Sequence, residues 1–355
     1  MEPTLPDGPP QLSLRERFFK SWFPPAAVVG GVVTLVAAAL RVRPEPKRQA
    51  SPPGGTPSSR PAAAGSVPAG LERAYVLTAS IGTQALSAFR ESLLDVAVDG
   101  ADQVVALGDG HVRVFGPGGE PLRQWRAGEK AECLAVGPDG WIYVGGAGRV
   151  EVFDGQGRQA GGFSFGDAAT PPSVSAIAVH GPDILVADAS ARIIRRFDAA
   201  GRQRNLIGDQ GKTKTFMLPN GRLDVNVDAA GIVRATDTGR HQVTAWTLDG
   251  APVGKFGKFG MQDAADFVGC CNPINVATTP DGKIVTSEKM VARVKVFEPH
   301  GRLLAVIGTE YFDPMCTQIH LAVDSKGRIL AADPVRRRIQ VFTPGAPGEP
   351  REVPS

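Results

Sequence analysis

The sequence predicts an all-β protein, a six-bladed β-propeller, preceded by one transmembrane helix and a disordered linker. Three observations predict the propeller. A strand–turn–strand–bend–strand pattern recurs along most of the chain, its internal length hardly varies, and its repeat distance is that of a propeller blade. The pattern is clearest from Asn272 to Phe297. Ile274–Thr278 reads as a first strand, Pro280-Asp281-Gly282 as a turn and Lys283–Thr286 as a second strand. A polar bend at Ser287-Glu288-Lys289 follows, and Arg293–Phe297 alternates as a third strand.

Each unit carries a small residue in the middle of its first strand and an aromatic at the end of its third. The pairs are Ala97 and Phe115, Ala135 and Phe153, Ala178 and Phe197, Asn226 and Trp246, Ala277 and Phe297, Ala322 and Phe342. Members of a pair stand 18 to 20 residues apart, and successive first members 38 to 51 apart. Six pairs imply six blades. A ring with an unpaired terminal blade would leave sheet edges open. After Phe342 the chain is too rich in proline to make a good fourth strand. Arg73–Ile81, an orphan strand upstream of the first unit, is therefore expected to complete the last blade.

The last unit, Leu321-Ala322-Val323-Asp324-Ser325-Lys326-Gly327-Arg328-Ile329-Leu330-Ala331-Ala332-Asp333 followed by Arg338-Ile339-Gln340-Val341-Phe342, resembles the NHL repeat. More broadly, residues from about 93 to 345 are similar to the six-bladed gluconolactonase-like (SMP-30-like) group. That resemblance implies the fold, whereas the architecture hosts hydrolases, lyases, receptors and binding platforms alike. The gluconolactonase-like group holds a divalent metal through an early Glu, two Asn and an Asp. Here Glu91 lacks the surrounding sequence and Asn220 stands too far ahead of Asn226, so no catalytic residue carries over. NHL-type lyases place zinc on histidines around the channel, and only His320 of five histidines lies comparably.

Along the chain, residues 1–21 form a polar tail. Residues 22–43 form an expected membrane segment in which Trp22 to Leu40 carries no charge, about the length that crosses a hydrocarbon core. A signal-anchor helix is the preferred reading; a cleaved signal peptide ending near Ala37-Ala38-Ala39 and an interfacial helix are the alternatives. Lys and Arg flank both sides, so the positive-inside rule leaves orientation open. Residues 44–70 are a Pro/Ala/Ser-rich spacer without the means to build a core, 71–346 the propeller, and 347–355 a tail. Long domains translocate largely regardless of flanking charge, which places the propeller on the extracytoplasmic side, periplasmic or extracellular. A net charge of +3 is too small to point to nucleic acid.

In a four-stranded blade the loop leading into the innermost strand and the bend between strands two and three share one end. From each terminal aromatic to the next central residue the distance runs from 20 to 31 residues, so insertions accumulate at that end. They include Gly208–Pro219, Gly260–Gly269 and Thr309–Met315. Long loops on a rigid scaffold are where binding concentrates. The same end collects Cys270, Cys271, Asn272, Glu288, Lys289, Cys316 and His320, the candidate binding face. Cys271 and Cys316 each stand six residues before their central alanines, which makes them candidates for a disulfide between adjacent blades; buried free thiols and a soft-metal or redox site are the alternatives. Adjacent Cys270 and Cys271 are not expected to bridge each other in ordinary geometry.

Two residues before the central positions stand Asp95, Cys133, Ala176, Asp224, Asn275 and His320. Pointing into the channel mouth, Asp95, Asp224, Asn275 and His320 would suit a divalent cation, Ca²⁺ for the carboxylates or Zn²⁺ for the imidazole; packing between blades is the plainer reading. The bend acids Asp109, Asp188, Asp237, Glu288 and Asp333 read as structural acceptors in their own turns. Glu288 departs from the recurrent Asp and is the one expected to face a ligand. No GxSxG, HExxH or phosphate-binding glycine loop occurs. The sequence therefore points to a membrane-tethered propeller that binds a protein or small-molecule ligand through its insertion-bearing face. The alternatives are a metal-dependent hydrolase or lyase and a cysteine-based metal or redox protein of the cell envelope.

Overall fold

A computed structural model describes residues 67, 70–85, 87–208 and 216–345. The tail, the segment 22–43, nearly all of the linker and residues 347–355 lie outside the described residues. Among the described residues no helix is long and apolar enough to cross a membrane.

The strands form six four-stranded antiparallel sheets. Their innermost strands are Asp95–Val98, Cys133–Val136, Val174–His180, Val225–Val227, Asn275–Thr278 and His320–Val323, which number the blades one to six. Each innermost strand touches those of both neighbours, and blade 6 returns to blade 1, so the sheets close a ring. Tyr75–Ile81 pairs antiparallel with Arg338–Pro344, from Tyr75 opposite Pro344 to Ile81 opposite Ile339. The orphan strand thus completes the last blade as expected, and the Gly345 amide extends the seam to the Ala74 carbonyl at 2.8 Å.

The blades are held apart by side chains rather than by solvent. Every third-strand aromatic meets a ring from the preceding blade or from the loop leading into its own. Phe115 packs on Phe89 at 6.1 Å, Phe153 on Trp125 at 6.0 Å and Phe197 on Phe163 at 4.9 Å. Trp246 packs on Phe216 at 6.1 Å, Phe297 on Phe256 at 5.1 Å and Phe342 on Tyr311 at 5.2 Å. Each pair contributes roughly 0.5–1.5 kcal/mol beyond the area it buries. The recurrence explains why an aromatic closes every third strand.

Two expectations shift. The second strand of blade 5 runs Ile284–Glu288, taking in Ser287 and Glu288, which the sequence placed in the bend. Ser287 pairs with Asn275 and accepts the Ile274 amide at 2.8 Å, so the ladder extends past the apolar run. The turn is then Lys289–Ala292, with Met290 and Ala292 at positive φ. The third strand Arg293–Phe297 shows no inside–outside alternation, because both faces of a blade pack on neighbours and all five residues are buried.

Candidate functional site: the insertion-bearing rim

The bend acids position the rim. Asp109 accepts the amides of Arg90, Glu91 and Ser92 at 2.8–2.9 Å and pairs with Arg113 at 2.7 Å. Asp237 accepts the Met217 amide at 2.8 Å, and Asp333 the Asp313 amide at 2.8 Å. These carboxylates reach across to the loop leading into their own blade, and Asp333 also closes its own turn as expected, accepting the Val335 and Arg336 amides at 2.9 Å. Asp188 likewise bonds within its turn, to the Ala191 amide at 3.0 Å. Blade 2 lacks the acid and has Gly146, whose Cβ position lies only 1.6 Å from the Lys130 carbonyl oxygen. Beside it opens a cavity of about 510 Å³, walled by Gly128–Ala131, Gly145–Arg149 and Phe165–Ala168.

Glu288 is the blade 5 member of this set, and its burial corrects the expectation that it faces a ligand. Its carboxylate is fully buried, accepts the Val268 amide at 2.9 Å and pairs with both Arg293 and Lys295. Lys295 is itself fully buried; its ammonium donates to the carbonyls of Ala264 at 3.0 Å and Asp266 at 2.7 Å, and lies 4.7 Å from the centre of the Phe267 ring. Burial outweighs the attraction of Glu288 and pushes the Lys295 ammonium down to about 8. Asn272 is buried too. Its amide donates to the Val268 carbonyl at 2.6 Å and accepts the Lys289 amide at 2.9 Å, tying the insertion to the bend. Of these residues Lys289 keeps partial exposure.

The channel mouth brings together the first-strand polar residues of four consecutive blades. His320 Nδ1 lies 3.1 Å from Asp95 Oδ1, and Asp95 accepts the Val96 amide at 2.8 Å and the Leu134 amide of blade 2 at 2.9 Å. Asp224 accepts the blade 5 Val276 amide at 2.7 Å. Although partly open to the channel, Asp224 is enclosed by protein; burial, with the Asp95 charge adding, pushes it up to about 7 against the Val276 amide, His320 and the Asn275 side chain. Buried Asn275 leaves its Oδ1 without a partner. Behind them the channel is a cavity of about 170 Å³ lined by the small central residues. These carboxylates already serve backbone amides, and among the described residues no three His, Cys, Asp or Glu side chains converge on one point. The set as arranged does not fit a metal ion.

All four cysteines are free thiols. The Cys271–Cys316 pairing is not formed: Cys316 Sγ donates to the Gln318 carbonyl at 3.0 Å, while Cys271 Sγ lies 2.7 Å from Cys270 Sγ. Equal spacing from the central alanine put both cysteines at the same end, but the insertions before them fold differently. Burial pushes the Cys316 thiol up to about 12, and fully buried Cys133 also well above its usual range.

The rim also carries a feature the sequence reading missed. Met217, Phe259, Met261, Met290, Met315 and Val335 are the exposed large apolar side chains of this end, all from blades 4 to 6. They sit in the loops leading into these blades or in their second bends. The chain has five methionines, and the four beyond Met1 all stand here. Their shared location in loops rather than in alternating strands was the available signal.

Ring closure and radial blades define the class: a six-bladed β-propeller. No protein-family description matches the chain. It is 30% identical over 139 residues to Protein brain tumor of Drosophila melanogaster, covering 39% of this chain and 12% of that protein. The match thus spans about an eighth of that relative's length. Among solved structures it is similar to a catalytically inactive virginiamycin B lyase from Staphylococcus aureus with quinupristin, at TM-score 0.51 and 10% identity over 71% of this chain and 80% of that one. A chain of the mitotic checkpoint complex gives TM-score 0.53 at 10% identity over 76% and 94%. The WD40 β-propeller domain of Doa1 gives 0.50 at 15% over 76% and 97%. At such identities the likeness is one of fold.

Proposed function

We propose that this chain is a membrane-tethered, NHL-type propeller that binds a partner protein through the rim of blades 4 to 6. The observation that carries the reading is the gathering of every internal methionine, with Phe259 and Val335, on one end of the ring. Exposed apolar side chains scattered singly need no explanation, but a one-sided gathering marks an interaction surface. Methionine is unbranched and polarisable, so it suits a surface that must mould to another chain. The anchors beneath are rigid: Glu288, Lys295 and Asn272 fix the blade 5 insertion from below, leaving Lys289 and Met290 on top. One structural neighbour is a chain of the mitotic checkpoint complex, a protein assembly, which supports this use of the fold. The apolar run Trp22–Leu40 supplies the tether, with the propeller on the extracytoplasmic side.

The test is site-specific photo-crosslinking in cells with the full chain. A photoreactive residue at position 290 or 315 is expected to trap a discrete protein partner, while one at Leu122, exposed on the outer strand of blade 1, traps none. Equal trapping at all three positions, or none at any, removes the reading. In the same cells, deleting residues 22–43 is expected to release the chain from the membrane fraction.

A further inference from the structure

We propose that Cys270 and Cys271 form a redox-active vicinal dithiol, which closes into a Cys270–Cys271 disulfide by exchange with a small-molecule or protein disulfide. Side chains of consecutive residues in extended backbone point to opposite sides. Here the two sulfurs instead lie 2.7 Å apart, and Cys271 has φ of +65°, a left-handed conformation that a non-glycine side chain disfavours by about 1 kcal/mol or more. That conformation persists only where the surroundings impose it. The surroundings are on view: the next residue, Asn272, is fully buried and bonded to the Val268 carbonyl, the Lys289 carbonyl at 3.2 Å and the Lys289 amide. The backbone that presents the two thiols is thus pinned to the Glu288–Lys295 anchor.

Access is divided between the two sulfurs in the way exchange requires. Cys270 is exposed and meets an incoming disulfide; Cys271 is buried behind it. The thiolate of Cys270 attacks a disulfide RSSR, forming Cys270–S–SR and expelling one RS⁻, which takes up a proton. Cys271 then loses its proton to solvent and attacks Cys270 Sγ, expelling the second RS⁻. The balance is one dithiol oxidised by two electrons and one RSSR reduced to two RSH. The remaining thiols do not compete. Cys133 is fully buried, and Cys316 is buried with its Sγ bonded to Gln318. A Cβ at Gly269 would stand 3.8 Å from Met290 Sδ, so the dithiol adjoins the apolar rim without depending on any partner there.

The experiment uses the purified full chain, reduced with dithiothreitol, desalted, exposed to oxidised glutathione and then alkylated with N-ethylmaleimide. The tryptic peptide spanning residues 259–283 contains both sulfurs and no other cysteine. It is expected to lose two hydrogens and to carry neither glutathione nor maleimide. Cys271→Ser is expected to retain one glutathione on Cys270. On the reduced chain, phenylarsine oxide is expected to add once across both sulfurs, and this adduct disappears in Cys270→Ser and in Cys271→Ser. A lasting glutathione adduct on the unmodified chain, maleimide on both sulfurs, or a disulfide to Cys133 or Cys316 overturns the proposal. These readouts involve no partner protein, so their failure is separate from failure of the binding reading.

Discussion

Blades 1 and 5 use the same bend position in different ways. In blade 1, Asp109 gathers three amides of a short loop and one arginine, and its side chain keeps some contact with water. Blade 5 carries a longer insertion, which folds back over the bend and seals it. There the acid is Glu288, buried completely, and it works with a second cation, Lys295, whose ammonium gathers the insertion's carbonyls. The difference teaches that in these two blades the bend acid anchors the loop that precedes the blade. As the insertion grows, the anchor needs a longer side chain and a matching set of donors, because more backbone polar groups are shut away from water.

Removing the buried cation breaks this comparison most severely. Lys295→Met leaves the Ala264 and Asp266 carbonyls without a donor and is expected to cost about 3–5 kcal/mol, as for one partner taken from a buried ion pair. Chemical denaturation reads the loss, and limited proteolysis should cut selectively within residues 257–269. An unchanged midpoint with an intact insertion would show that the clamp is dispensable.

A smaller effect is expected in blade 1, where Asp109→Ala should cost about 1–3 kcal/mol. Burial opposes ionisation of Asp109, but the amides of Ser92, Arg90 and Glu91 and the Arg113 charge overcome it and hold the carboxyl below its ordinary range. A depressed carboxylate stabilises the fold above its unfolded pKa and ceases to do so as pH falls through the folded one. The gap between Asp109→Ala and the unmodified chain should therefore be full at pH 7 and narrow below about pH 4. A gap that persists in acid would mean the side chain contributes packing rather than charge.

Asp224 has the opposite sign. Its folded pKa is raised to about 7, so the folded state holds the proton more tightly, and stability from this group falls as pH rises from about 4 to about 7. Asp224→Asn keeps an acceptor for the Val276 amide and removes the slope. Water in the channel screens much of the effect, leaving a gain of about 1 kcal/mol at pH 8 and none at pH 4. Equal stability changes at both pH values would place the charge outside an enclosed site.

The blades and their closure were legible because they rest on local pattern. β-branched runs, Asp-Gly turns and the paired Ala and aromatic positions repeat at near-constant spacing, and the need to cover a sheet edge assigns Tyr75–Ile81 its place. The gathering of Cys270, Asn272, Glu288 and His320 at one end followed from the same topology. What each does there did not follow. Glu288 and Asn272 are buried because residues 257–269 return over them, a contact made by a loop with no periodic signal. Cys270 and Cys271 meet because of one left-handed residue, and pairing rules drawn from extended backbone exclude that. The methionines were visible from the start, scattered through sequence but drawn together by the ring.

The closing seam has a mechanical meaning. Tension arriving along the chain from before Ala74 enters the propeller through one outer strand, Tyr75–Ile81, held to Arg338–Pro344 and nothing else in the ladder. That strand is also the latch of the ring. A pull strong enough to peel it away would strip the last blade of its outer strand, so the domain would give way at its fastening before any interior sheet is strained.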